Sequence, residues 1–340
     1  MAMAVLLSVL AGSAPGSVLV QDGKINGMTV STRRGSAEWG KDHMAPTISE
    51  LKELGVNWIQ IHPYARIERD GEVRWRRDGD QGGAAPTWLR SPIEEAHRQG
   101  IKIFIKPHLA YWGNYSWRGE IAYENLADRE RFFRTYREWI SAMARFSQGA
   151  DAFAVGTELD GTLEHEAQWR QVIAAVRAEY SGPLTYAANW SDYERVPFWD
   201  ALDAIGVQAY FPVLDPGARG GELPPQAEFD RGWGRIMDRL RAFSRQQGKI
   251  VVLTELGYNR SSNAPYEPWD SRVGGANADE LQARCMEAAL GAIARESSVV
   301  GVFLWKWFPG DYRPRDFAMS DPAMRRIISA HWAGSPATAR

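Results

Sequence analysis

The sequence predicts a single (β/α)8 barrel. Three observations carry this reading: eight short apolar runs, helical patterns between them, and no linker or composition break in the interior. The runs lie at 25–31, 56–62, 101–106, 152–157, 184–188, 204–210, 250–254 and 299–305. They are mostly β-branched or aromatic and nearly continuous in apolarity, as parallel strands covered on both faces should be. An open doubly wound sheet is the competing architecture, and it usually shows a Gly-rich fingerprint after its first strand. Here Thr32-Arg33-Arg34-Gly35-Ser36 follows, without that spacing.

The connecting segments follow in order. Pro46 to Leu54 carries Ile48, Leu51 and Leu54 on one face and stops at Gly55. Ser91-Pro92 opens a second helix that runs to Gly100. Arg129 to Phe146 places Phe132, Phe133, Tyr136, Ile140 and Met143 at helical spacing. Trp169 to Tyr180, Phe229 to Gln247, Ala278 to Arg295 and Asp321 to Trp332 complete the set, with a short turn around Val196 to Leu202. The longer segments 64–86, 109–125, 211–227 and 258–277 are rich in Gly, Pro and aromatics. In a barrel these wall a groove at the C-terminal face.

At 340 residues the chain suits one such barrel, expected over 23–334. Residues 1–22 read as a signal peptide or a disordered tail: Ala4 to Leu10 is apolar and Ala11-Gly12-Ser13-Ala14 is small, but no Lys or Arg precedes them. A secreted or periplasmic location follows from the first reading, a cytoplasmic one from the second. A net charge of -2 gives no reason to expect nucleic acid or an anionic membrane as partner, and no run approaches a membrane span. A monomer is expected. The lone Cys285 excludes an internal disulfide and sits in a helical pattern as a small buried residue. The 6 histidines are scattered and the first strand has no His-x-His, so neither a metal nor a cofactor is expected.

The chemistry concentrates at strand ends. There stand His62 and Tyr64, Lys106 and His108, Glu158 and Asp160, Asn189 and Trp190, Tyr210, Glu255 and Tyr258, and Trp305 and Lys306. Two of these ends match: Thr157-Glu158-Leu159 and Thr254-Glu255-Leu256. A carboxylate at the tip of a buried strand is poorly placed for stability. Either each glutamate pairs with a core Arg or Lys, or the two face each other across a cleft, as glycoside hydrolysis requires. Tryptophan is over-represented, with 15 copies. Trp112, Trp117, Trp190, Trp305 and Trp307 lie just beyond strands and suit stacking on sugar rings, whereas Trp58 and Trp139 read as core.

The order strand-four Glu, strand-six Tyr, strand-seven Glu, strand-eight Trp resembles the clan A glycoside hydrolases. Within them the chain is most similar to glycoside hydrolase family 113, whose members are retaining β-mannanases. The resembling stretches are Phe104 to His108, Gly156 to Leu159, Ala188 to Trp190, Gln208 to Pro212, Leu253 to Tyr258 and Leu304 to Trp307. The resemblance implies Glu158 as acid/base, Glu255 as nucleophile, Tyr210 as the hydrogen-bonding partner of Glu255, and Trp305 as the floor beneath the sugar under attack. His108, Trp112, Asn189, Trp190, Tyr258 and Trp307 are the accompanying substrate-binding candidates; His108 serves either substrate or the barrel rim. Thr157 departs from the clan, which commonly has Asn there to meet the sugar 2-hydroxyl, so the sugar stays open. The implied activity is endo-attack on β-1,4-mannan or glucomannan, with another β-glycan or a non-catalytic carbohydrate-binding barrel as alternatives.

Overall fold

A computed structural model describes residues 23–76, 84–219 and 222–334. At its centre eight parallel strands close into a ring: β1 (Ile25–Val30), β2 (Trp58–Ile61), β3 (Lys102–Ile105), β4 (Ala152–Thr157), β5 (Leu184–Asn189), β6 (Ile205–Gln208), β7 (Val251–Leu256) and β8 (Val299–Trp307). Each strand lies beside its sequence neighbours, and β1 pairs with β8 to close the ring. The (β/α)8 expectation is met, with strand boundaries within two residues of the apolar runs. Residues 1–22, read above as leader or tail, lie outside the described residues.

Seven α-helices surround the ring among the described residues: α1 (Met44–Glu53), α2 (Thr87–Arg98), α3 (Leu126–Phe146), α4 (Glu166–Glu179), α5 (Gln226–Gln247), α6 (Ala278–Arg295) and α7 (Pro322–Trp332). Asn125 caps α3 by accepting from the Ala127 amide, and α5 ends at Gly248 in the left-handed conformation. Between β5 and β6 two short 3-10 turns, Tyr193–Arg195 and Trp199–Ala201, replace a helix. Cys285 is buried in α6, as its pattern predicts.

Alternation along the strands divides the core in two. Outward residues such as Met28, Ile59, Ile103, Phe153, Val207 and Leu253 pack in the large cluster shared with the helices. Inward residues at the strand starts, including Ile25, Trp58, Phe104, Ala152, Val252 and Phe303, form a separate apolar plug. One step up, the inward positions turn polar and bond to one another, although Gln60 Oε1 and Gln208 Nε2 find no partner among the described residues. Gln60 Nε2 donates to Thr29 Oγ1 at 2.9 Å, and Thr254 Oγ1 donates to Gln208 Oε1 at 2.9 Å. Above that layer a three-stranded rim sheet, built from Tyr64–Ile67, Val73–Arg74 and His108–Ala110, ties the loops after β2 and β3 together.

Candidate active site

The C-terminal strand ends open into a cavity of about 540 Å³, a size suited to a small ligand. Glu158 and Glu255 both line it. Each follows a register shift in its strand: Ala154 to Thr157 in β4 against β5, and Leu253 to Glu255 in β7 against β6. Such irregularities re-aim side chains at sheet rims, and here they stand beside both carboxylates.

Glu255 sits in a nest of donors. Lys106, wholly buried, makes an ion pair with its Oε1. The same ammonium donates to Gln208 Oε1 at 3.0 Å and to the Thr254 carbonyl at 3.3 Å. Tyr210 donates its hydroxyl to Glu255 Oε2 at 2.9 Å. Burial lowers the proton affinity of Lys106 to about 8 although Glu255 pulls it up. At neutral pH the Lys106 side chain therefore still carries its charge beside Glu255.

Glu158 is held differently. Its backbone is left-handed, with φ 49°, a conformation that costs a non-glycine residue about 1–3 kcal/mol. Flanking bonds impose it: the Glu158 amide donates to the Ala187 carbonyl at 2.9 Å, and the Leu159 amide to the Tyr186 hydroxyl at 2.7 Å. Gly156 lets this strand end approach Tyr186, since a Cβ there would lie 2.8 Å from the ring. Arg118 Nη1 donates to Glu158 Oε2 at 2.7 Å. Burial, helped by the nearby Glu255, raises the proton affinity of Glu158 even though Arg118 opposes the rise.

His108 faces Glu255 on one ring nitrogen and Arg118 on the other. Arg118 Nη2 lies 3.3 Å from its Nδ1 and can only donate, so the ring proton is on Nε2, which faces Glu255 Oε1 at 3.6 Å. Burial, reinforced by Arg118 and Lys106, pushes its affinity well below the usual imidazole range. The ring is neutral at physiological pH.

Trp305 stacks above His108 with centroids 6.1 Å apart and lines the cavity together with Trp112, Trp117, Asn189 and Trp190. Asn189 Oδ1 accepts from the Ser191 amide and hydroxyl, while its Nδ2 makes no hydrogen bond among the described residues. Thr157 faces elsewhere: its hydroxyl is buried and donates to the Pro107 carbonyl at 3.1 Å. His62 is a buried support, bonded through Nε2 to Ser31 and stacked on His108 at 5.2 Å. Lys306 pairs with Asp316 at 2.9 Å instead of with Glu158 or Glu255.

Two expected substrate contacts are corrected. Tyr258 is fully buried, and its hydroxyl accepts from Trp233 Nε1 at 3.0 Å. Trp307 is 1% exposed and lies under the α7 residue Arg325, whose guanidinium is 5.3 Å from the ring. Neither lines the cavity. Conversely, Arg118, Tyr111, Trp269 and Phe317 line it without having been singled out. Trp269 stacks nearly parallel on Trp190, with centroids 5.5 Å apart. Its only signal was membership of the aromatic-rich 258–277 segment.

The model of Glycoside Hydrolase Family 113 matches residues 28–323. Among solved structures, a β-mannanase of that family from Alicyclobacillus acidocaldarius, in complex with ManMIm, is 28% identical with a TM-score of 0.77, over 94% of this chain and 99% of that one. Another β-1,4-mannanase of the family, 22% identical, shares the fold at a TM-score of 0.78 over 92% of this chain and 100% of that one. A β-glucuronidase from Faecalibacterium prausnitzii shares it more distantly, at 11% identity and a TM-score of 0.60, over 93% of this chain and 49% of that one. No curated protein matches.

Proposed function

Since the chain belongs to glycoside hydrolase family 113 and is a glycoside hydrolase, we propose that it cleaves β-1,4-mannan or glucomannan internally, with retention, using Glu255 as nucleophile and Glu158 as acid/base. The observation that carries this reading is the unlike surroundings of the two carboxyls. Glu255 meets the Lys106 ammonium and the Tyr210 hydroxyl, a cation and a donor that hold both oxygens of the group proposed to attack. Burial raises Glu158 toward the protonated form a general acid needs.

In the first step a Glu255 oxygen attacks the anomeric carbon while Glu158 gives its proton to the departing glycosidic oxygen. In the second, Glu158 takes a proton from water as that water attacks the same carbon and releases Glu255. His108 is placed to donate Nε2–H beside Glu255, and Trp305 offers a flat face to the reacting sugar. Asn189 has free amide donors for a hydroxyl, which supports it in the place that Thr157 leaves unfilled. Trp112 and Trp117 come from the loop after β3, and Trp190 and Trp269 from the loops after β5 and β7; this spread of aromatic faces around the cavity favours a chain lying across the site. A polymeric substrate also favours a secreted or periplasmic location, which cell fractionation would test.

Proton NMR of the first products from mannan tests the mechanism. The β-anomer should appear before mutarotation, and initial α-anomer would mean inversion. Mannan viscosity should fall faster than reducing ends accumulate; equal progress would exclude internal cleavage. Faster turnover of a β-glucan than of mannan would move the substrate assignment to another glycan.

A further inference from the structure

Arg118 lies 12 residues beyond Lys106, which directly follows β3, on a loop whose path no strand pattern dictates, yet it touches Glu158. Its guanidinium is fixed on every side. Nε donates to the Leu109 carbonyl at 3.4 Å, Nη2 to His108 Nδ1 at 3.3 Å and Nη1 to Glu158 Oε2 at 2.7 Å, and the group lies 5.4 Å from the centre of the Tyr111 ring. The turn that carries it, Arg118–Glu120, is pressed against the turn Asp160–Thr162 that follows Glu158. A Cβ on Gly161 would come 2.7 Å from the Ile121 carbonyl oxygen and 3.1 Å from that of Gly119. Backbone thus meets backbone, and the ion pair is built into the fold.

The partnership is unexpected for a proton donor, because a guanidinium favours the carboxylate. We propose that Arg118 is a positioning residue for Glu158, holding Oε2 so that Oε1 alone carries the proton exchanged with the glycosidic oxygen. The inference rests on Glu158 being the acid/base, as read above. The proton leaves Oε1 as the glycosidic C–O bond breaks, and Oε1 recovers one from the water that opens the glycosyl-enzyme. Besides Arg118, the groups facing Glu158 are Lys106 beyond β3, Glu255 on β7, Tyr210 beyond β6, Tyr186 on β5 and Asp160 on its own turn. Lys106 is committed to Glu255, so Arg118 is the cation bonded to Glu158. It opposes the rise that burial imposes, and removing it lets the carboxyl keep its proton to higher pH.

The test is the pH profile of kcat/KM on a mannooligosaccharide for the wild type, Arg118→Gln and Arg118→Lys, with folding followed by near-ultraviolet circular dichroism. The Gln variant should move the alkaline limb up by about one pH unit or more. An unmoved limb with lowered activity would reduce Arg118 to a structural part and overturn the proposal. The Lys variant keeps the charge but loses the fork. It should leave the limb nearly in place and lower kcat about tenfold; wild-type kcat would overturn the positioning role even if the Gln variant fails to fold. Azide rescue of Glu158→Ala on an activated aryl β-mannooligoside tests the acid/base reading by itself. No rescue would remove that reading, whereas rescue alongside an unmoved Arg118→Gln limb would remove only the role of Arg118.

Discussion

The two ends of the barrel are built from the same strands and contrast sharply. At the strand starts Ile25, Trp58, Phe104, Val252 and Phe303 fill the interior with carbon. Gly27 is part of that fit, since a Cβ there would lie 2.3 Å from the Phe303 ring. At the strand ends, Lys106, Glu158 and Glu255 occupy the same interior wall, with Arg118 reaching in from a loop. Apolar groups need only volume to fill. Buried charges each need a partner, and the site provides two cations for two carboxylates. Stability and chemistry are therefore separated along the barrel axis, and substitutions at the two ends should read out in different measurements.

The strongest break should come from Glu255→Gln. Its kcat on mannan should fall about 10³-fold or more while the protein stays folded; retention of a tenth of the activity would dissolve the contrast. Phe303→Ala should do the reverse. The unfolding free energy from denaturant midpoints should fall by about 3–5 kcal/mol, with kcat/KM within about twofold of wild type, because a polar layer lies between the plug and the cavity. Tyr210→Phe removes a hydrogen bond to a charged group, worth about 1.5–3 kcal/mol. If that bond matters most in the transition state, kcat falls about 10–100-fold with little change in stability.

The break that shows only across a pH series concerns Asp160, whose carboxyl oxygens are buried and make no hydrogen bond among the described residues. Burial, then the nearby Glu158 and Asp192, push its proton affinity up to about 8, against roughly 4 in an unfolded chain. Between those values the native state keeps a proton that the unfolded state has released. Its contribution to stability is therefore complete below about pH 4, is lost progressively as pH rises toward 8, and is level above that. Asp160→Asn should flatten this decline. The melting-temperature difference, variant minus wild type, should grow from pH 5 to pH 8, and a constant difference would show that Asp160 does not titrate in the fold.

Much of this arrangement was legible in the sequence because it follows from period and position. Apolar runs gave the strands, and the repeated polar residue after each run located Glu158, Tyr210, Glu255 and Trp305 on one rim. Periodicity is blind where the chain leaves the sheet. Trp305 and Trp307 are two apart, so alternation puts them on one face, yet one lines the cavity and the other lies under α7. Tyr258 follows Glu255 closely but turns back toward Trp233. Arg118 and Trp269 reach the site on long loops, where neither period nor strand end fixes direction. Lys106 and Lys306 were both visible as strand-end residues, but the commitment of Lys106 to Glu255 and the pairing of Lys306 with Asp316 depend on side-chain reach.

The missing helix between β5 and β6 bears on how the ring assembles. Only residues 190–204 separate these two strands, whereas 209–250 separate β6 from β7 and 257–298 separate β7 from β8. Closing a shorter stretch of chain forfeits less entropy, and pairings between nearby segments are reached sooner. The β5–β6 pair is thus the cheapest parallel contact in the ring to nucleate, while the β1–β8 seam joins the most distant strands. Asn189 and Gln208 are register partners in that early pair. The wall that receives Lys106 through Gln208 would then be in place before the barrel is sealed.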